Sequence, residues 1–391
     1  LEILTDERIN DLAEPARRQW QTYLQQSTEL ARRDRFVLAQ ELSRSNLQAS
    51  QPAPDNSQEF ELGSKVDLQW LAAPATGQLA ETVMSYQTPA GGWSKAVDYT
   101  AGPRLPGTHW TSQSGTGWHY CGTLDNRSST EQIAFLAWMY STSQKPEYRE
   151  SALRGIRWLL AAQFPNGGWP QVYPLEPGYH EAITLNDAAM QHAMEVLLAI
   201  GSREAPYEWV DTELAGLANS AVARGIVCLQ QAHLVIDGVA TVWCAQHDPL
   251  TLEPLGARLK EPASLSGSES ADMVKFLMRR APDSEPTRAA ISAAVNWFEQ
   301  HKIVGLRYVK NELGKTDYVD DPSSTEIRWA RFYDIATQQP IFAGGQDGVI
   351  YASFTEMAKN NKVGYDYFTT RPLDVITKEV DRWQKRIRST K

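Results

Sequence analysis

The chain has 391 residues, 42% of them hydrophobic, enough to bury a large core in one domain or two. Its formal net charge of -9 argues against nucleic acid or an anionic membrane surface as the main partner. No apolar run of about 18 residues occurs, so no membrane span is expected.

Residues 1 to 48 are polar and helical in pattern, rich in Ala, Glu, Arg, Gln and Leu. The opening LEILTDERIN lacks a basic segment followed by an apolar core, so the chain is either cytosolic or has already lost a signal peptide. Ser50 to Gln58 (SQPAPDNSQ) reads as a linker. Residues 1–60 are therefore expected to be a helical extension with its linker, and residues 61–391 the main domain. From Val66 onward helical patterns dominate. Thr130 to Tyr140 places Ile133, Leu136, Ala137 and Tyr140 on one stripe, and Ser151 to Gln163 places Leu153, Ile156 and Leu160 similarly. Ala188 to Ile200, Ala215 to Gln231, Glu269 to Met278 and Arg288 to His301 continue the series. Strand signals are short: Gly238 to Trp243 and Leu306 to Val309. Cys121, Cys228 and Cys244 cannot all pair and match no zinc spacing. Three unrelated thiols is the ordinary reading, with a Cys228–Cys244 bridge open in an oxidising compartment.

Two stretches copy each other. Met84 to Lys95 reads MSYQTPAGGWSK and Leu160 to Gln171 reads LAAQFPNGGWPQ. Gln87 and Gln163 each stand four residues before a Gly-Gly-Trp, and Gln231, Gly238 and Trp243 form a weaker third copy. Such recurrence marks a supersecondary unit used several times, each burying its apolar face against the next. The expected fold is all-α: a ring of helix pairs, each closed by a Gly turn, with a small β element. Long polar connections at 88–124, 164–183, 244–268 and 310–350 are the expected home of a binding site.

The chemistry-bearing residues sit at the ends of those loops. The first loop ends in Thr123-Leu124-Asp125-Asn126 and the second in Thr184-Leu185-Asn186-Asp187, each just before a helix. Asp or Asn there is ordinarily an N-cap, contributing about 1 kcal/mol. Repetition at equivalent places opens two other readings: the carboxylates jointly hold Ca²⁺, or they act as acid and base of a glycoside hydrolase. The third loop carries Arg258 and Lys260, by default solvated charges, followed by SLSGSES, where Ser268 is the expected cap and Glu269 suits the first turn. The fourth carries Arg328-Trp329-Ala330-Arg331-Phe332-Tyr333. These Arg either pair with acids such as Asp321 or Glu326 or face an anionic ligand. Loop Arg, loop Asp and aromatics together suit a polyanionic sugar better than a neutral one.

AAQFPNGGWPQVYP followed by YHEAITLNDAAM, with TLDN before it and ARLKEPASLSGSES and RWARFYDIATQQPIF after it, resembles the pectate lyases of polysaccharide lyase family 10. Five blocks in order, from about Val66 onward, carry the resemblance. It implies an (α/α)₃ toroid that cleaves polygalacturonate by calcium-assisted anti-β-elimination. It implies Asp125 and Asp187 as calcium-associated carboxylates, Arg258 as catalytic base and Arg331 as a ligand of the substrate carboxylate. Asn126, Arg328, Trp169 and Lys95 complete the expected substrate contacts. Gln346 stands where the family often carries an Arg, and its segment, Phe342 to Gly348, has one extra residue. A secreted monomer acting on plant cell-wall polysaccharide is expected, with no nucleic acid or membrane partner. The alternatives are a glycoside hydrolase built on the two Asp and a non-enzymatic pectin-binding module.

Overall fold

The computed structural model describes residues 3–56, 60–63, 66–113, 118–310, 316–363 and 366–389. Ser57 and Gln58, the last residues of the expected linker, lie outside the described residues. The fold is mainly helical with short strands, and the chain divides into two compact units, Leu1–Gly225 and Ile226–Lys391.

Unit one holds α1 (Asp6–Asn10), α2 (Ala16–Arg44), α3 (Leu68–Ala72), α4 (Pro74–Ser85), α5 (Thr130–Ser143), α6 (Pro146–Ala161), the short strand β1 (Ile183–Thr184), α7 (Ala189–Gly201) and most of α8 (Thr212–Gln231). Helix α6 starts a turn earlier than the apolar stripe indicates, because Pro146 supplies a preset N-terminal φ before the first periodic residue. Helix α5 is buried nearly all round, at Ile133, Phe135, Leu136, Ala137 and Met139, as a central core helix must be. It packs on α6 at Gly155, where a Cβ would meet Ile133 at 2.6 Å and the Trp93 ring at 2.9 Å.

The N-terminal helix α2 lies along the two long loops of unit one. Its stripe of Trp20, Tyr23, Ser27, Asp34 and Leu38 is buried. It satisfies loop donors that would otherwise be orphaned. Ala90 N–H donates to Asp34 at 2.7 Å, Leu175 N–H to Ser27 at 2.8 Å and Gly107 N–H to Glu41 at 2.9 Å. The Arg104 guanidinium grips Glu41 with both prongs.

Burial raises the Asp34 carboxyl to about 7, against the opposing pull of the Ala90 N–H, Arg33 and Arg35. The unfolded carboxyl ionises near its ordinary value of 3.8, so the native state binds the extra proton between the two values. Stability contributed here is therefore present at acid pH and lost as pH rises toward and through about 7. Asp34→Asn, which keeps the acceptor for Ala90, is expected to raise stability above pH 7.5 by on the order of a few kcal/mol and to change little near pH 4. Thermal melts of both proteins at the two pH values check this. Equal shifts at both would refute it.

The recurring Gln and Trp close each helix pair. Gln87 Nε2 donates to Gly91 O at 2.8 Å and to Ser151 O on α6 at 3.0 Å, and Gln163 Nε2 donates to Gly167 O at 2.9 Å and to Ala221 O on α8 at 2.8 Å. Arg154 and Arg224 donate to the matching Gln oxygens. Gly91 and Gly167 have φ of +116° and +96°, and a Cβ would lie 2.7 Å from Arg154 O and 2.3 Å from Arg224 O. Only glycine tolerates both conditions. Trp93, Trp169 and Trp243 are fully buried, and their indole N–H groups donate to Val83, Leu159 and Leu229 carbonyls of the preceding helix. In the weaker third copy Gln231 is exposed, and Gly238 turns a β-hairpin. Trp329, not read as a copy, repeats the indole contact by donating to Phe298 O at 2.9 Å.

Unit two holds the end of α8, the hairpin β2 (Val235–Ile236) and β3 (Val239–Ala240), β4 (Gln246–His247), β5 (Leu265–Ser266), α9 (Glu269–Arg280) and α10 (Glu285–Gln300). Ser284 caps α10 by accepting from Thr287 N–H, so this helix too begins before its apolar stripe. There follow β6 (Ile303–Val304), β7 (Leu306–Lys310), β8 (Thr316–Asp320), β9 (Ile327–Ala330), β10 (Phe332–Tyr333), β11 (Pro340–Ala343), β12 (Ile350–Tyr351), α11 (Phe354–Asn360), β13 (Phe368–Thr369), α12 (Arg371–Asp374) and α13 (Val380–Ser389). Strand order is β12-β11-β10-β5 in one antiparallel sheet and β13-β9-β6 in another. The β content is larger than two short signals indicate, because two- to four-residue strands leave too little alternation to read. An aromatic cluster of Phe342, Phe354, Tyr367 and Phe368 fills the space beneath them. Cys121, Cys228 and Cys244 are buried free thiols, so the Cys228–Cys244 bridge is not formed.

Candidate active site

Each repeat Trp positions the loop end that follows it. The Trp93 carbonyl accepts from Thr123 N–H at 2.9 Å, Trp169 from Thr184 N–H at 3.0 Å and Trp243 from Ser266 N–H at 2.8 Å. Two residues beyond those anchors stand Asp125, Asn186 and Ser268. The first two each open a 3₁₀ turn, Asp125–Arg127 and Asn186–Ala188, and the two turns pack together. The following residues, Asn126 and Asp187, both have φ of +50°. Asp125 is thus the structural counterpart of Asn186, and Asn126 of Asp187. The acid and the amide have exchanged places between two equivalent turns.

Neither Asp is a helix cap. The residues preceding α5 and α7 are Ser129 and Ala188, and no side chain caps either helix. Asp125 is instead buried against Lys95, with Nζ 2.5 Å from Oδ2. The same ammonium lies 3.6 Å from the centre of the Tyr120 ring, a cation–π contact. Asp187 is half-buried and accepts from Asn186 Nδ2 at 2.7 Å, while Asn126 is exposed. The two packed turns thus carry carboxylate and amide oxygens, the donor type a hard cation prefers. Trp169 is corrected: its ring is fully buried and its N–H is bound to Leu159 O, so it braces the repeat and presents no face to a sugar.

In unit two Arg258 is half exposed and forms a two-pronged pair with Glu261, itself 2% exposed, in which Nε donates at 2.7 Å and Nη2 also donates. The pair aims Arg258 over a cleft of about 520 Å³ lined by Lys260, Gln346, Lys362 and Tyr367. Gln346 Oε1 accepts from Lys362 N–H at 3.1 Å. Arg331 does not pair with Asp321 or Glu326. Its Nη2 donates to Glu269 at 2.5 Å, and Glu269 is 1% exposed and also accepts from Ser266 Oγ. Glu269 is therefore a buried partner of an Arg and not simply a first-turn charge. Ser268 does not cap α9 with its side chain; Ser266 Oγ takes the Ser268 and Glu269 N–H groups. Arg328 pairs with Glu326 at 2.5 Å beside the Tyr318 ring, and Asp321 pairs with Arg307.

Glu261 and Glu269 are the buried charge partners of Arg258 and Arg331 that sequence reasoning did not single out. An acid within three residues of Arg258 is a visible signal for the first; the second pair spans 62 residues and leaves none. One further group was missed. Among the described residues His119, Glu176 and His180 bring three metal-ligating side chains together, their donor atoms all within 4.8 Å of one another.

The pectic acid lyase family model matches residues 87–376. A family 10 polysaccharide lyase from Cellvibrio cellulosa is 30% identical, with a TM-score of 0.68, over 81% of this chain and 95% of that one. An aspartate-to-alanine mutant of a family 10 lyase from Cellvibrio cellulosa, in complex with trigalacturonic acid, is also 30% identical, with a TM-score of 0.69, over 81% and 96%. No curated protein sequence matches. The chain belongs to the pectic acid lyase family, and it is a lyase acting on pectate. No described helix is long and apolar enough to cross a membrane.

Proposed function

We propose that the chain cleaves polygalacturonate by calcium-assisted anti-β-elimination. The observation that carries this reading is Arg258, held by a buried carboxylate at the edge of a cleft whose other charged side chains, Lys260 and Lys362, are cationic. The trigalacturonate complex of the Cellvibrio enzyme supports an oligogalacturonate as ligand. The recurring Gln-Gly-Trp contacts support an (α/α)₃ toroid over residues 61–391, with 1–60 as an extension.

The C5 proton of a uronate lies α to its carboxylate and is weakly acidic. Arg258 removes that proton, the C4–O bond breaks, the leaving sugar oxygen takes up a proton, and a 4,5-unsaturated sugar remains. Proton removal by a guanidine needs the fork to turn from Glu261 toward the substrate, since a carboxylate partner favours the charged form. Arg331, aimed by Glu269, can grip a uronate carboxylate with two prongs. Arg328, Lys95 and Asn126 are proposed as further polar contacts. Asp125 and Asp187 would hold Ca²⁺, with Lys95 shifting off Asp125 to admit it. The ion would supply positive charge beside the uronate carboxylate and stabilise the enolate-like charge that develops there. A polymer of plant cell walls as substrate implies export, and we propose a secreted monomer.

The test is ultraviolet absorbance of the unsaturated product from polygalacturonate, with calcium and with excess chelator. Absorbance that grows with calcium and stops with chelator is expected. Saturated products would favour a hydrolase using the two Asp, and binding without turnover would leave a pectin-binding module.

A further inference from the structure

His119 lies at the end of the first long loop of unit one, and Glu176 and His180 lie in the second. His119 Nδ1 is 3.1 Å from Glu176 Oε1, and His180 Nδ1 is 3.9 Å from Glu176 Oε2. The two imidazole rings meet edge-on with centroids 4.9 Å apart. The Glu176 carboxylate also accepts from Tyr120 N–H at 3.2 Å. Both His present a ring nitrogen to the same carboxylate, and the separations approach the edge of a zinc tetrahedron, about 3.3 Å for bonds near 2.0–2.1 Å. Two imidazoles and one carboxylate are a borderline-soft donor set, suited to Zn²⁺ and poorly suited to Ca²⁺, which takes oxygen. His180 is 5% and Glu176 18% exposed in their side chains, and His119 at 26% leaves an entry path.

We propose that His119, Glu176 and His180 form a zinc-class site that ties the first long loop to the second and leaves one coordination position for water. The site is separate from the Asp125 and Asp187 turns in residues and in donor chemistry. It reaches them through one neighbour. Tyr120, whose N–H is bound by Glu176, carries the Lys95 ammonium on its ring, and Lys95 holds Asp125. An ion here thus acts as a positioning element, and a general chelator would strip it together with calcium.

The experiment uses the whole chain, stripped of metal and then titrated with Zn²⁺ by calorimetry and by thermal melting, with Ca²⁺ at equal concentration as the comparison. One equivalent of Zn²⁺ is expected to bind and to raise Tm by roughly 3 °C at saturating ion. Ca²⁺ should not compete for it. His119→Ala and Glu176→Gln should each weaken Zn²⁺ binding at least about 100-fold. Glu176→Gln keeps the acceptor for Tyr120, so its melting without metal should match that of the parent and show that loss of binding is not loss of fold. Absence of stoichiometric binding would overturn the proposal. So would Zn²⁺ affinity unchanged in both variants, or Ca²⁺ displacing Zn²⁺.

Discussion

Arg258→Ala is expected to lower turnover by several orders of magnitude while KM changes only a few-fold, because loss of a base removes an interaction made in the transition state. The structure adds a cost to this substitution. Glu261 is almost fully buried, and Ala leaves its carboxylate without the fork that neutralises it. Breaking such a pair from one side destabilises by about 3–5 kcal/mol when both partners are buried, and by less here because Arg258 is half exposed. The double substitution Arg258→Ala with Glu261→Gln removes the stranded charge. It should recover most of the lost stability and none of the activity. Arg258→Lys should fail as well, since an ammonium cannot match both carboxylate oxygens and places its nitrogen elsewhere. Initial rates of unsaturated product, read beside thermal melts, separate the two effects. Turnover above a tenth of the parent in a folded Ala variant would move the base to another residue.

Asp125→Asn and Asp187→Asn are expected to cut calcium-supported activity by on the order of 100-fold, since an amide is a poorer ligand for a hard cation than a carboxylate. Their effects on stability should differ. Asp125 is buried against Lys95 at 2.5 Å, and Asn strands that ammonium, so this variant should lose about 1–3 kcal/mol. Asp187 is half-buried and accepts from Asn186, a contact that an amide oxygen can keep, so its variant should melt near the parent. Capping would give another pattern, with both variants stable because Asn caps as well as Asp. Melting and activity at several calcium concentrations distinguish these outcomes. Equal stability of the two variants would remove the Lys95 pair from the account.

The two turns show where sequence reading stops. Thr-Leu-Asp-Asn and Thr-Leu-Asn-Asp are visibly related, and both were legible as site candidates. Which Asp matched which Asn was not. The match rests on anchoring by the Trp93 and Trp169 carbonyls and on a shared φ of +50° at the second position. The same holds for Trp169. Composition counts it as an aromatic available to a sugar ring, and burial removes it, because the recurring geometry of the repeat turns its indole toward Leu159. Arg331 was legible as an Arg too costly to leave buried and unpaired, but its partner Glu269 stands on another element.

The amino-acid order by itself determined most of the long helices, the Gln-Gly-Trp recurrence, the loops that end in charged residues and the family. Each of these is a local pattern: an apolar spacing, a glycine forced by a turn, or a block of neighbours in a set order. Tertiary structure alone decided which charges meet across long separations in the chain. Lys95 reaches Asp125 across 30 residues, Arg331 reaches Glu269 across 62, and His119 reaches Glu176 across 57. No periodicity encodes such pairs, because the partner of a buried charge is set by which elements pack together and not by its neighbours along the chain.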